Sequence, residues 1–95
     1  DNAAANILSF TTDKTIYNTG ETVTVNIPSS ANGRALVSIE SGSKVLNTYW
    51  VETQAGQTKF TFDTKPEMAP NIYVHISLLQ AHAQTNNDLP IRLYG

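Results

Sequence analysis

The chain has 95 residues, of which 40% are hydrophobic and 15% are charged, and its formal net charge is −2. This length fits one domain with a single core, and the negative charge argues against a nucleic-acid partner, which needs clustered Lys and Arg. Cysteine is absent, which excludes disulfides and thiol chemistry. No run reaches the roughly 18 apolar residues that a membrane-spanning helix requires.

The N-terminal half predicts short strands separated by turns. Residues 1–6 lack the basic start and apolar run of a signal peptide and are predicted to be a flexible segment, so the domain is assigned to residues 7–95. After a short apolar alternation at 7–11 and a turn-rich stretch at 13–20, strict alternation at 22–27 predicts a half-buried strand. Residues 34–40 alternate again, and a Ser-Gly-Ser turn leads to a partner strand at 44–52.

The C-terminal half continues the same pattern. Strands are predicted at 58–62, at 71–79 and at 89–94, where Pro90 suggests an edge position or a bulge. Residues 63–70 and 80–88 are predicted to be loops, and no stretch keeps helical spacing for three turns. Short strands with turn signals every 8 to 12 residues are typical of a sandwich. The predicted fold is therefore all-β, a sandwich of about seven strands.

No set of residues predicts a catalytic, cofactor or metal site. His75, placed in a strand, and His82, placed in a loop, have no acidic neighbour at ligand spacing, and a metal site needs three or four ligands. Asp13, Asp63 and Asp88 occur at turns, where such side chains bond backbone amides. Since no nucleophile, base and orienting group can be named, we expect no enzyme and no cofactor.

Tyr49 and Trp50 are the candidate contact residues. Neighbours on a strand point to opposite faces, so one of the two is expected outside, where it could contact a neighbouring domain. For Trp50 itself, packing between the sheets or partial burial beside Tyr49 is favoured over a sugar-stacking or interdomain contact. Tyr17 is expected to pack over the turn at Gly20.

Four segments form an ordered set of motifs. The first has a tyrosine and a Gly-Glu turn that lead into a strand. The segments are Asp13-Lys14 with Tyr17, Gly20-Glu21 and Val23, then residues 35–40, 68–74 and 87–95. This set resembles a macroglobulin domain of bacterial alpha-2-macroglobulin-like proteins, especially those of Bacteroides-type bacteria, over nearly the whole chain from about residue 8.

The resemblance implies a fold, a setting and a role. It implies a seven-stranded antiparallel sandwich of the immunoglobulin or fibronectin type III kind, one of a string of similar domains. The parent would be a broad-spectrum protease trap in the periplasm or on the surface of a Gram-negative bacterium, often lipid-anchored. Its partners would be neighbouring domains of the same chain and, for the whole protein, target proteases, with no membrane contact by this domain.

Neither trapping device of that family maps onto the residues. The thioester requires a cysteine, and a bait segment is a long flexible insertion, for which the loop predicted at 80–88 is too short. What remains is a non-catalytic structural module. The alternative is a cell-surface binding or adhesion module with carbohydrate as its candidate ligand, and saturable glycan binding abolished by Trp50→Ala would favour it.

Overall fold

The computed structural model describes residues 7–95, and they form eight strands in two sheets. The segment 1–6, predicted to be flexible, lies outside the described residues. The strands are β1 (Thr11–Thr12), β2 (Ile16–Asn18), β3 (Thr22–Ser29), β4 (Arg34–Ser41), β5 (Lys44–Glu52), β6 (Gly56–Asp63), β7 (Asn71–Gln80) and β8 (Ala83–Tyr94). A single 3₁₀ turn, Pro66–Met68, precedes β7. Within this part of the chain, no helix has the length and apolar character to cross a bilayer.

The larger sheet has the strand order β2-β8-β7-β4-β5, and the smaller sheet has the order β1-β3-β6. Neighbouring strands are antiparallel except for β2, which runs parallel to the end of β8 and places Tyr17 beside Leu93. The strands β5 and β6 are consecutive in the chain but belong to different sheets. Side chains of these two strands nevertheless contact each other, since the ring centroids of Tyr49 in β5 and Phe60 in β6 lie 5.0 Å apart.

The core forms because alternate side chains of both sheets point to the space between them. In the smaller sheet Val23, Val25 and Ile27 of β3 are fully buried, and in the larger sheet Val37 and Ile76 face them, also fully buried. No buried side-chain nitrogen or oxygen of residues 7–95 lacks a hydrogen-bond partner. The two sheets therefore enclose one continuous apolar core with its polar groups satisfied.

The structure corrects the predicted strand count from seven to eight, and it adds one parallel pairing to a fold expected to be antiparallel. The additional strand β2 has three residues and lies within the stretch 13–20 that was predicted to be only turn-rich. A three-residue strand is too short for alternation to reveal.

The predicted loop at 80–88 is also wrong. The strands β7 and β8 form a hairpin with a two-residue turn at Ala81 and His82, and β8 starts at Ala83. The first half of β8 carries polar residues on its inner side, Thr85 and Asn87, so it lacks an apolar alternation. Asn87 is accommodated there because its Nδ2 donates a hydrogen bond to the carbonyl of Leu8, 3.0 Å away.

Candidate interaction face

The motif from Asp13 to Glu21 forms a hydrogen-bonded corner between the sheets. The Tyr17 ring is buried, and its hydroxyl donates to Asp13 Oδ1 at 2.6 Å while it accepts from the backbone N–H of Lys14 at 2.9 Å. Asp13 Oδ1 also accepts from the N–H of Thr24 in β3, at 2.9 Å. The hydrogen bond from Tyr17 is the main reason that the pKa of Asp13 lies below its usual value. Burial and this same bond raise the pKa of Tyr17 to about 12.

The second half of the motif closes the turn before β3. Gly20 has φ +98°, a conformation that favours glycine. Its N–H donates to Thr64 Oγ1 at 3.0 Å, and that hydroxyl donates to the carbonyl of Glu21 at 2.7 Å. Glu21 Oε1 accepts from Lys14 Nζ and from the N–H of Asn18, both at 2.9 Å, and these bonds lower its pKa. The motif residues therefore have structural roles.

The outer face of the larger sheet carries the exposed apolar side chains. Residues paired across neighbouring strands share a face, and the register places every large hydrophobic side chain that is exposed in residues 7–95 on this one. They are Ile7, Ile16, Val45, Trp50, Tyr73 and Tyr94. We call this surface the apolar face. Polar residues such as His75 and Asp88 lie between these side chains, and a sheet face that exposes six large apolar side chains is a candidate contact surface.

Trp50 lies on the apolar face, which corrects the expectation that it packs between the sheets. Its exposed fraction is 57%, and the guanidinium carbon of Arg34 lies 4.8 Å from its ring centroid. Tyr49 points the other way and packs against the core. Of the two predicted contact residues, only Trp50 is therefore placed to meet a partner on this face.

The apolar face also holds a line of three polar side chains that the sequence did not reveal. His75 Nδ1 lies 2.5 Å from Asp88 Oδ1, and Ser77 Oγ lies 3.4 Å from His75 Nε2. His75 has no acidic neighbour at ligand spacing in the sequence, but Asp88 is opposite it in the β7–β8 register. Spacing along the chain could not show this, whereas a correct hairpin register would have.

These three side chains have the order of a nucleophile, a base and an orienting carboxylate. Acyl transfer also requires donors aimed at the developing oxyanion. β7 is bonded to β4 on one side and to β8 on the other, so its backbone N–H groups are used in the ladders. The site lies on an open sheet surface, and His75 remains about one-third exposed. The backbone N–H groups of β7 are therefore not free to act as such donors, and the three side chains are not enclosed.

Two shallow depressions lie outside this line. One, of about 440 Å³, is lined by residues 31–34 and 52–54. The other, of about 460 Å³, is lined mainly by residues 89–92. Their charged lining residues are Arg34 and Glu52 in the first and Arg92 in the second. No group of three or more His, Asp or Glu in residues 7–95 is placed to hold a metal ion.

The family is shown by comparison with known sequences. The sequence model of the alpha-2-macroglobulin bait region domain matches residues 8–95, nearly the whole described chain. The chain belongs to the alpha-2-macroglobulin bait region domain family. The resemblance to alpha-2-macroglobulin-like proteins that the motifs indicate is confirmed at the level of the family. A search of curated proteins found no match.

A solved structure supports the fold of this bait region domain. The sporulation control protein Spo0M from Bacillus subtilis matches with a TM-score of 0.58 and 17% identity, over 94% of this chain and 49% of the Spo0M chain. The chain thus spans about half the length of that structure. At this identity the similarity concerns the fold alone.

The family name refers to a bait segment, but the described residues contain no long flexible loop. The longest connection between strands, residues 64–70, includes a 3₁₀ turn and the buried side chain of Met68. The segment 80–88, which is too short to serve as bait, is mostly strand. Residues 7–95 of this bait region domain therefore form a framework.

Proposed function

We propose that the chain is a non-catalytic structural module of a bacterial alpha-2-macroglobulin-like protein that traps endopeptidases. The observation that carries this proposal is the family match over residues 8–95, combined with motif residues that build a corner of the framework. The parent protein is proposed to be periplasmic or on the surface of a Gram-negative, Bacteroides-type bacterium. We assign the finer fold class as the macroglobulin, fibronectin III-like sandwich.

A trapping protein needs domains that move as rigid bodies, because packed interiors do not deform continuously. The fully buried inner rows of β3, β4 and β7, illustrated by Val25, Val37 and Val74, provide that rigidity. The corner at Tyr17 fixes β3 against β2, which belong to different sheets. This construction suits a module that transmits movement rather than one that changes shape.

The apolar face is the proposed contact surface for neighbouring domains of the same parent chain. Ile7 forms a bridge with Asn86, and Tyr94 lies eight residues farther along β8, about 26 Å away. The side chains of Ile7 and Tyr94 both belong to the apolar face. The apolar face thus extends over the length of β8 and across the sheet to Trp50, an area that a neighbouring domain would cover.

Site-specific labelling tests this contact, since the chain has no cysteine to interfere. Thr48→Cys places a thiol on the outer side of β5, and Thr61→Cys is a matched control on the outer side of β6, since both threonines are exposed. In a fragment with its flanking domains, we expect Thr48→Cys to be labelled severalfold more slowly than in the isolated domain. Thr61→Cys should be labelled equally in both, and equal rates for Thr48→Cys would contradict the proposed contact.

The absence of catalysis is tested separately with the line Ser77, His75 and Asp88. The isolated domain should hydrolyse an activated ester such as p-nitrophenyl acetate no faster than its Ser77→Ala variant. A saturable rate that disappears in Ser77→Ala would refute the non-catalytic proposal.

A second candidate function is a surface module that binds carbohydrate, and the exposure of Trp50 favours it. An exposed indole can stack on a sugar ring, and Arg34, Glu52 and Asn86 provide polar groups on the same face. Because Trp50 is the sole tryptophan, its fluorescence would report binding directly. Titration with plant and host polysaccharides should produce no saturable change if the framework proposal is correct.

A further inference from the structure

The outer edge of β8 is open over its middle. Ile7 bridges to Asn86, and β2 pairs with β8 only from Arg92 onward, so residues 87–91 have no described strand beside them. The chain between Ile7 and β2 leaves this edge, because β1 pairs with β3 in the smaller sheet. The depression of about 460 Å³ lies at this opening. It is therefore a consequence of the strand arrangement.

The open edge of β8 is poorly suited to pairing with another strand. The N–H of Arg92 donates to the carbonyl of Thr15 at 3.1 Å, so by alternation the backbone groups of residues 88 and 90 point to the same edge. Pro90 has no N–H, and the N–H of Asp88 already donates to Asn87 Oδ1 at 2.9 Å. An added strand would find no free N–H donor at these two residues. The opening therefore suits a compact molecule better than an extended peptide.

The lining of this depression combines apolar surface with a positive charge. Leu89 is half-buried and Pro90 is exposed, and Arg92 is the charged residue of the lining. Both ion pairs among residues 7–95 lie elsewhere, so the Arg92 guanidinium has no carboxylate partner in this part of the chain. We propose that the depression binds a small carboxylic acid with an aromatic or branched aliphatic body. This inference concerns a ligand and goes beyond the structural role.

Each part of such an acid has a matching group in the depression. A guanidinium binds a carboxylate through two parallel N–H···O hydrogen bonds, which are stronger than bonds between neutral groups. Asn71 lies opposite Arg92 in the β7–β8 register, and its side-chain amide provides a further donor. The apolar body would cover Leu89 and Pro90, and displacement of water from that surface favours binding. The charge thus orients the ligand, and the apolar surface adds affinity.

The depression at residues 31–34 and 52–54 does not offer the same combination. It carries Arg34 together with Glu52, and the two residues are opposite each other in the β4–β5 register. A carboxylate that approached Arg34 would also approach the carboxylate of Glu52, which repels it. Arg34 is therefore a matched control for Arg92, since its removal changes the net charge equally.

Titration of the chain with 3-phenylpropanoate, followed by NMR of the backbone amides, tests the proposal. We expect saturable shifts at residues 12–15 and 89–92. Arg92→Gln should raise the Kd about tenfold or more, because the charge-assisted hydrogen bonds are lost, whereas Arg34→Gln should leave the Kd unchanged. Unshifted amides away from the substitution verify that Arg92→Gln is folded. Equal affinity of Arg92→Gln and wild type, or no saturation up to the solubility limit of the probe, would overturn the proposal.

Three further probes separate the charge, the apolar body and the source of the carboxylate. The neutral 3-phenylpropanamide should bind about tenfold more weakly or worse, and acetate, which has almost no apolar body, should not saturate the site. A tripeptide that ends in phenylalanine presents the same ring and carboxylate on a longer chain, and it should bind no more tightly than 3-phenylpropanoate. Tighter binding of the tripeptide would overturn the small acid as the ligand in favour of a peptide C-terminus. Equal binding of the amide and the acid would refute the role of Arg92.

Discussion

The two outer faces of the molecule follow the same alternation and carry different residues. The outer face of the smaller sheet is polar, and its side chains bond one another: Thr22 Oγ1 donates to Asp63 Oδ1, and Gln57 Nε2 donates to Asn26 Oδ1, both at 2.8 Å. The apolar face of the larger sheet exposes Trp50 and five further large apolar side chains. The outer face of the smaller sheet is therefore a polar surface that can remain in water. The apolar face exposes apolar surface that a partner would bury.

This difference shows that outward-pointing residues are not interchangeable. Alternation along one strand separates inside from outside, but the register between strands decides which outside residues become neighbours. Trp50 in β5 lies opposite Leu36 in β4, and Tyr73 in β7 lies opposite Pro90 in β8. These residues are distant in the sequence, and only the sheet brings them to one surface.

The largest expected effect tests which side chains of β7 point to the core and which point outward, an assignment on which the comparison of the two faces depends. Ile76→Ala should destabilise the domain by about 2 to 5 kcal/mol, because it empties a fully buried position in β7. His75→Ala, one residue earlier and on the apolar face, should lower the free energy of unfolding by less than about 1 kcal/mol. Chemical denaturation followed by circular dichroism measures both. Similar losses for the two variants would mean that inside and outside have been assigned incorrectly.

Much of the framework can be predicted from the sequence, since β3, β4 and β7 alternate over six or more residues with one side toward the core. The second half of β8 is predicted for the same reason, through Ile91 and Leu93. Its first half is not, because Thr85 and Asn87 face inward with polar groups that only the Leu8 segment satisfies.

The candidate surface is less accessible to sequence reasoning. Trp50 and Tyr49 could be identified as a pair with opposite directions, but which one faces outward depends on the phase of β5. That phase changes near its start, where the β4–β5 register shifts between Ile39 and Glu40. The neighbours of His75 depend on the β7–β8 hairpin, which begins at a turn with His82 at φ +65° and no glycine. A turn without glycine or proline gives little local signal.

An intermediate effect is expected at the corner that holds the two sheets, and hence the two faces, in position. Tyr17→Phe should destabilise by about 1 to 2 kcal/mol, because the hydroxyl no longer bonds Asp13 and Lys14. The pKa of Tyr17 is raised from 10.0 to about 12, so the unfolded chain loses this proton first as the pH rises. The contribution of Tyr17 is complete below pH 10 and is lost between pH 10 and about pH 12.

Alkaline titration measures this directly. The difference between the ultraviolet spectra of wild type and Tyr17→Phe should show one tyrosine ionising near pH 12. The stabilities of the two proteins should converge as the pH approaches that value. A difference spectrum with its midpoint near pH 10 would show that the corner is open to solvent and does not hold the sheets together.

The smallest expected effect tests whether the apolar face contacts a partner or stabilises the isolated domain. Trp50→Ala in the isolated domain removes an indole that is 57% exposed and its contact with Arg34, so the free energy of unfolding should fall by no more than about 1 kcal/mol. Lys59→Ala, on the polar face, should change it by less than about 0.5 kcal/mol. In a fragment with flanking domains, the effect of Trp50→Ala should grow while that of Lys59→Ala stays small, because only the apolar face is buried there. A loss above about 2 kcal/mol for Trp50→Ala in the isolated domain would mean that the apolar face stabilises its own sheet. Its difference from the polar face would then be a property of folding, with no partner required to explain it.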